Sequence, residues 1–266
     1  MKIHGARILL VGASGGIGAA TARVLAERGG RIALGGRRPE ALSELARTLD
    51  GSAFPVVGDI TTDEGRGALV TEALSGLGGL DLLVNAAGLL DFIPFGHHDP
   101  SAVERIFRAN TIGPMLLAQS LLPSLQESGG RIVNVGSIFG SIAFPYFAAY
   151  SASKFALRGF SEALRRELAG SGIGVTYFAP RAVRTTINSD TVVRMGEATG
   201  MKMDDPKVVA HALVRAVEKD RDEAYFGWPE SIFVRINAIL PRLVDRALRG
   251  QSQTMARFAR PAPIRR

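Results

Sequence analysis

The chain has 266 residues, 46% of them hydrophobic and 21% charged, a balance that suits a globular protein and excludes the disordered and fibrous classes. Lys and Arg number 32 against 25 Asp and Glu, a net charge of +7, yet no aromatic-interleaved basic stripe accompanies that charge, so no nucleic-acid partner is expected. Zero cysteines exclude disulfides and thiolate metal sites, and His4, His97, His98 and His211 show no ligand spacing, so no metal is expected either.

Met1-Lys2-Ile3-His4 leads into a strand-like run rather than a secretory hydrophobic region, and no stretch of about eighteen apolar residues follows. A cytoplasmic, unprocessed protein is expected. ARILLVG (6–12) predicts a first strand, IGAATARVLAERGG (17–30) a helix, RIALGG (31–36) a second strand and PEALSELARTLD (39–50) a second helix. Further strands are predicted at AFPVVGD (53–59), LDLLVNAAG (80–88), RIVNVGS (131–137) and GVTYFAP (174–180), with helices between them. Strands that are apolar throughout belong to a parallel sheet covered on both faces. The fold class is therefore α/β: a single doubly wound Rossmann-type domain, its central parallel sheet flanked by helices on both faces.

Gly29-Gly30 and Gly129-Gly130 punctuate helix ends, each directly ahead of an Arg-Ile strand start. From Thr186 to Pro206 the rhythm fails, and this substrate loop is expected to be an irregular lid or binding segment. Residues 1–228 are assigned to the Rossmann domain, and 229–266 to a C-terminal amphipathic helical extension and basic tail. There ESIFVRINAILPRLVDRALRG alternates apolar clusters with arginines around Pro241, predicting one or two amphipathic helices. Arg246, Arg249, Arg257, Arg260, Arg265 and Arg266 follow Asp245 with no acid among them. Packing on the domain or on a neighbouring subunit is one reading of the extension, and peripheral contact with an anionic membrane is the other. After about Gly250 the periodicity lapses and a disordered end is expected.

Chemistry begins in the loop after the first strand, Gly12-Ala13-Ser14-Gly15-Gly16-Ile17-Gly18. Gly12, Gly16 and Gly18 are spaced G-x-x-x-G-x-G rather than G-x-G-x-x-G. The physics is shared, because glycines permit close backbone approach and free amides at a helix N-terminus suit a pyrophosphate. A tight strand-to-helix turn without a ligand is the alternative. Where the second strand ends, NAD-selective folds carry an acid for the ribose 2′-hydroxyl. Gly35-Gly36-Arg37-Arg38 offers no acid, but two guanidiniums that can fork onto a 2′-phosphate. NADP (NADPH) is therefore the expected cofactor in preference to NAD, with a solvated basic turn as the alternative.

Tyr150-Ser151-Ala152-Ser153-Lys154 puts a phenol and an ammonium at i and i+4, on one helix face. A free phenol titrates near about 10, and a nearby ammonium lowers that value. Alone, such a pair is ordinary helix surface.

In order along residues 5–185, these landmarks resemble the short-chain dehydrogenase/reductase family. VGASGGIG is close to the family's TGxxxGIG, with Val11 where threonine is usual; Asp59, followed by Ile60, resembles the acid that meets the adenine amino group. Asn85-Ala86-Ala87-Gly88 resembles NNAG, Asn110 the helix asparagine, and Ser137 stands at the family's interval before Tyr150. Pro180, Val183 and Thr185 keep the pattern Pro-Gly-x-Val-x-Thr, but Arg181 replaces its glycine. Arginine tolerates positive φ poorly. The loop is expected to be re-set while keeping its backbone contacts to the nicotinamide carboxamide.

The resemblance implies an NADP(H)-dependent oxidoreductase that interconverts a ketone or aldehyde and an alcohol by hydride transfer. It implies Tyr150 as acid/base, Lys154 as its activator and a ribose ligand, Ser137 as the holder of the substrate oxygen, and Asn110 as the holder of a proton-passing water. The implied cofactor set is Gly12, Ser14, Gly15, Gly16, Ile17 and Gly18; Arg37, Arg38, Asp59 and Ile60; Asn85, Ala86 and Gly88; and Tyr150, Lys154, Pro180, Val183 and Thr185. A homodimer or homotetramer is implied as well. Ile138, Phe139, Phe144, Tyr146 and Phe147, with Val192, Val193, Met195, Met201 and Met203, would suit an apolar substrate, though core packing or a subunit contact explains many of them equally. The alternative from another class is an NADP(H)-binding sensor or scaffold with weak turnover, against which the intact Ser137, Tyr150, Lys154 and Asn110 count.

Overall fold

The apolar runs pair side by side into one parallel sheet in the computed structural model, which describes residues 1–259. Its first half comprises β1 (Arg7–Val11), α1 (Gly16–Glu27), β2 (Arg31–Gly36), α2 (Pro39–Arg47), β3 (Ala53–Val57), α3 (Asp63–Leu77) and β4 (Leu82–Asn85). The second half comprises α4 (Pro100–Phe107), α5 (Gly113–Ser128), β5 (Arg131–Val135), α6 (Ala148–Glu167), β6 (Gly174–Pro180), α7 (Asp190–Thr199), α8 (Pro206–Glu218) and β7 (Glu223–Phe226). Strand order is β3-β2-β1-β4-β5-β6-β7, so the winding reverses between β1 and β4. A reversal of this kind opens a crevice beyond the carboxyl ends of the strands.

Side chains alternate across β1 with the period of a strand. Ile8 and Leu10 join Leu25 of α1 and Leu213 of α8, whereas Leu9 and Val11 join Leu69 of α3, Leu121 of α5 and Leu164 of α6. Both faces are thus buried, and each fully buried Leu or Ile contributes roughly 1.5–3 kcal/mol relative to exposure. That double burial is why the strands read as continuous apolar runs. Gly29 and Gly129 take left-handed φ values of +78° and +60° where the first and fifth helices end.

The segment from 186 to 206 is irregular only at its two ends, with α7 between them. Ser189 caps α7 by accepting the Val192 N–H at 3.4 Å, Gly200 closes it at φ +69°, and Val192 and Met195 are buried. Val183 then pairs with Asp204 in an isolated parallel bridge. β7, absent from the sequence reading, extends the sheet beside β6.

The extension forms α9 (Glu230–Ile239) and α10 (Pro241–Phe258). α10 runs through Gly250, where a disordered end was expected, because Val244, Leu248 and Met255 fall on one inward face. Arg260, Arg265 and Arg266 lie outside the described residues. No helix among the described residues is long and apolar enough to cross a membrane.

Candidate active site

α1 begins with its amides uncapped by any side chain. Gly15 stands at its N-cap and no acid occupies its first turn, which leaves the first N–H groups and the positive end of the helix dipole to an anion. Gly12 turns the chain at φ +84°, and a Cβ there would strike the backbone of Ala86 and Ala87 at 2.5–2.7 Å. A Cβ on Gly18 would fall on the Gly12 carbonyl, and one on Gly16 would meet the Thr185 side chain. The loop is a cradle with no room for side chains, which fits a pyrophosphate.

A cleft of about 410 Å³ opens at the winding reversal. Gly12, Ser14, Gly15, Gly16, Ile17 and Gly18 line it, as do Arg37, Arg38, Asp59 and Ile60. Ala86, Gly88, Ser137, Tyr150 and Lys154 continue the wall, together with Pro180, Val183 and Thr185. Arg38 donates Nη2 to the Ser14 carbonyl at 2.8 Å, so it is part of the loop's own scaffold. Arg37 is exposed, with Asp59 3.8 Å from its guanidinium. Asp59 accepts from the N–H and hydroxyl of Thr61 at 2.8 and 2.7 Å. The uncapped amides fit the pyrophosphate of a dinucleotide, and Arg37 leaves an exposed cation at the end of β2.

Two of the expected residues do not line the cleft. Asn85 points into the sheet, donating Nδ2 to Asn134 Oδ1 at 2.9 Å, while Asn134 donates to the Ser161 hydroxyl at 2.9 Å. This polar chain ties β4 and β5 to α6. Asn110 lies in a π-turn (Arg108–Ile112) joining α4 to α5. Its Oδ1 accepts the Leu89 N–H at 2.7 Å, and its Nδ2 donates to the Leu89 carbonyl and the Ser153 hydroxyl, both at 2.9 Å. The carboxamide therefore fastens the loop after β4 to α6 from behind the cleft wall. A Cβ on Gly88 would lie 3.3 Å from Asn110 Oδ1 and 3.7 Å from Lys154 Nζ, so Gly88 keeps that wall thin.

Helical spacing sets Tyr150 and Lys154 one turn apart on α6, both buried. Lys154 donates Nζ to the Val135 carbonyl at 3.0 Å and stands 5.8 Å from the Tyr150 ring centre. Burial pushes the Tyr150 phenol up to about 12, opposed by the Ser137 hydroxyl. Burial also pulls Lys154 down to about 8. Burial, rather than the neighbouring ammonium, sets the direction of the phenol's shift, opposite to the lowering expected from Lys154.

Tyr177, in the middle of β6, was not singled out from the sequence. Its hydroxyl donates to the Ser137 carbonyl at 3.0 Å and accepts the Ser137 N–H at 3.3 Å. A Cβ on Gly136 would strike the Tyr177 ring, and one on Gly140 its hydroxyl. Neither glycine has a positive φ, so space rather than conformation requires them. Gly136 and Gly140 on either side of Ser137 were the available signal.

Arg181 does not adopt positive φ. Its Nε and Nη2 donate to the Asp204 carboxylate at 2.8 and 2.7 Å, and its Nη1 to the Trp228 carbonyl at 2.9 Å and to Glu230 at 3.2 Å. Hydrogen bonding to Asp204 holds the guanidinium above its ordinary pKa. Arg181 thus ties the end of β6 to the segment after α7 and to the start of α9.

Phe139, Phe147, Val192 and Met201 line the cleft, and Phe139 meets Tyr150 edge-on with ring centres 5.7 Å apart. Phe144, Tyr146 and Met195 pack in the same cluster, joined by Met255 and Phe258 of α10. Ile138 turns away to Val234 and Val244. Val193 is half-buried, and Met203 packs near Gly196 in α7. A phenol, a hydroxyl and an amine line one cleft beside apolar walls, groups able to move a proton at an oxygen.

Residues 6–195 match the short chain dehydrogenase family. The chain is 32% identical over 258 residues to the ketoacyl reductase HetN of Nostoc sp., which covers 93% of this chain and 89% of that protein. A short-chain dehydrogenase from Burkholderia cenocepacia, solved in complex with NADP, is similar with a TM-score of 0.80 at 30% identity, covering 93% of this chain and 99% of the other. Another from Streptomyces avermitilis gives 0.79 at 28% identity, covering 92% and 98%.

Proposed function

The chain belongs to the short-chain dehydrogenase/reductase family, and from that premise we propose that it is an NADP(H)-dependent oxidoreductase interconverting an apolar ketone or aldehyde with its alcohol. The observation that carries this is the meeting of Ser137, Tyr150 and Lys154 in a cleft continuous with the glycine cradle. When bound, the nicotinamide cofactor supplies or accepts the hydride.

Reduction leaves negative charge on the substrate oxygen, so a donor must sit there and a proton must follow. The Ser137 hydroxyl holds that oxygen, and Tyr150 Oη delivers its proton. Burial keeps the phenol protonated at neutral pH, ready to donate. Lys154 Nζ, when charged, favours the phenolate left behind. Oxidation runs the same transfers in reverse, with phenolate as base. Asn110 acts here as a positioning residue through Leu89 and Ser153.

NADP is preferred over NAD in this proposal because Arg37 and Arg38 stand where an acid would repel a 2′-phosphate; the Burkholderia relative's bound NADP agrees. Exposed Ile112, Leu116 and Phe155, at the junction of the π-turn with α5 and on α6, support a homodimer or homotetramer through those helices. A cytoplasmic location completes the proposal, and cell fractionation checks it.

A panel of ketones, aldehydes and alcohols, each offered with NADPH/NADP and NADH/NAD, tests the chemistry. Turnover is expected with NADPH on bulky apolar carbonyls. Better turnover of small polar ketones would reject the apolar substrate class. NADPH binding without oxidation across the panel would favour a cofactor-binding sensor.

A further inference from the structure

Trp228 and five large apolar side chains of the C-terminal extension after it face solvent: Ile232, Phe233, Ile239, Leu240 and Leu243. Ile239 at 78% and Trp228 at 71% are the most exposed large apolar residues among those described. At about 100° per residue, Ile232, Phe233 and Ile239 fall within an arc of roughly 120° on α9, while buried Val234 points the opposite way and Leu240 follows at the helix end. The chain turns at Pro241 and Leu243 adds to the same corner.

α10 continues this surface with charge. Val244 and Met255 face inward, and helical spacing puts Arg242, Arg246, Arg249 and Arg257 on the opposite stripe. None of these four arginines forms a salt bridge among the described residues. Glu230, the nearby acid on α9, is already engaged by Arg181.

From this juxtaposition we propose that the corner between α9 and α10 docks on an anionic lipid surface, its apolar side chains entering the headgroup boundary and its arginines meeting lipid phosphates. An exposed apolar face bordered by unpaired basic side chains has the composition of interfacial helices. Charge decides between occupants. A two-fold contact with a second copy would set one arginine stripe against another, with Asp245 as the acid on the stripe's border, whereas anionic lipid complements the whole stripe. The proposal stands independently of the oxidoreductase chemistry, although Met255 of the same helix lies in the cluster around Tyr150.

The full chain is sedimented with vesicles of phosphatidylcholine alone and of phosphatidylcholine mixed with phosphatidylglycerol. Pelleting with the mixed vesicles, weak pelleting with the neutral ones and release by high salt are expected. Combined Arg242→Gln, Arg246→Gln and Arg249→Gln should lower the partition coefficient about a hundredfold, the scale for three basic side chains at an anionic surface. Leu240→Ser should lower it about tenfold. Equal pelleting of the unaltered chain with both vesicle types would overturn the proposal, a comparison that needs no folded variant. A dimer in velocity sedimentation that Leu240→Ser dissociates, without vesicle binding, would assign the corner to a second copy instead.

Discussion

The Tyr177 hydroxyl holds both backbone polar atoms of Ser137, donating to its carbonyl at 3.0 Å and accepting its N–H at 3.3 Å. The Ser137 carbonyl also accepts the Gly140 N–H at 2.9 Å, so Tyr177→Phe chiefly orphans a buried N–H. That costs about 1–3 kcal/mol of stability. With Ser137 less well fixed, kcat should fall about tenfold while the cofactor Kd stays constant, measured by steady-state kinetics and fluorescence titration. An unchanged kcat in a folded variant would remove the positioning role.

Tyr150→Phe deletes the proton and leaves the ring among Phe139 and Phe147. Turnover is expected to drop at least about a hundredfold, the scale of general acid catalysis, with cofactor affinity kept. Near-normal turnover would refute Tyr150 as the acid/base.

Arg37 and Arg38 should behave differently. Arg37 is exposed and only loosely paired with Asp59, so Arg37→Ala should lower kcat/KM for NADPH by about 10–100-fold, the range of a lost charge-assisted hydrogen bond, and spare NADH. Arg38 braces the Ser14 carbonyl, and Arg38→Ala should weaken both cofactors. Equal losses for NADPH and NADH on removing Arg37 would exclude it as the 2′-phosphate ligand.

Lys154 titrates at about 8 in the fold against an ordinary value of 10.5. Between these values the unfolded chain binds the extra proton, so this group raises stability as pH climbs from about 8 to about 10.5. Below that window its buried ammonium costs roughly 3 kcal/mol. Tyr150, at about 12 against 10.0, acts later and oppositely, lowering stability above about pH 10. Lys154→Met should therefore melt higher than the unaltered chain at neutral pH, with the gap closing toward pH 10. A gap constant across that range would contradict burial as the cause.

Arg181→Gly restores the residue usual in the family and leaves Asp204 and Glu230 without their cation. Stability should fall by roughly 1–3 kcal/mol, less than for a fully buried pair because the groups are partly solvated. Since Asp204 anchors the segment after α7, KM for a bulky substrate should rise more than kcat falls. Kinetics in which kcat alone changes would speak against that anchoring.

The sheet was legible because parallel strands must be apolar on both faces, as Ile8-Leu9-Leu10-Val11 demonstrates. α7 was missed although Ser189 and Gly200 mark its ends, because its buried face holds only two large apolar residues, Val192 and Met195, beside Gly196. α10 lost its pattern at Gly250 because six residues without a large apolar side chain, Arg249 to Thr254, separate Leu248 from Met255. β7 offers four residues without a full apolar face. In the site, short-range spacing revealed the glycine loop and the Tyr150-Lys154 pair, whereas Asn85 paired with Asn134 and Tyr177 with Ser137 through contacts that only the folded sheet creates. The direction of the Tyr150 shift depends on burial, which no local motif encodes.

Met255 and Phe258 share a cluster with Tyr150 although more than a hundred residues separate them in the chain. Synthesis proceeds from the other end, and the dinucleotide cradle can assemble while α10 is still inside the ribosome. A nascent chain would thus form its glycine cradle before these two side chains reach the Tyr150 cluster. A chain truncated before α10 would keep the glycine cradle but lose the Met255 and Phe258 side chains that pack in the Tyr150 cluster.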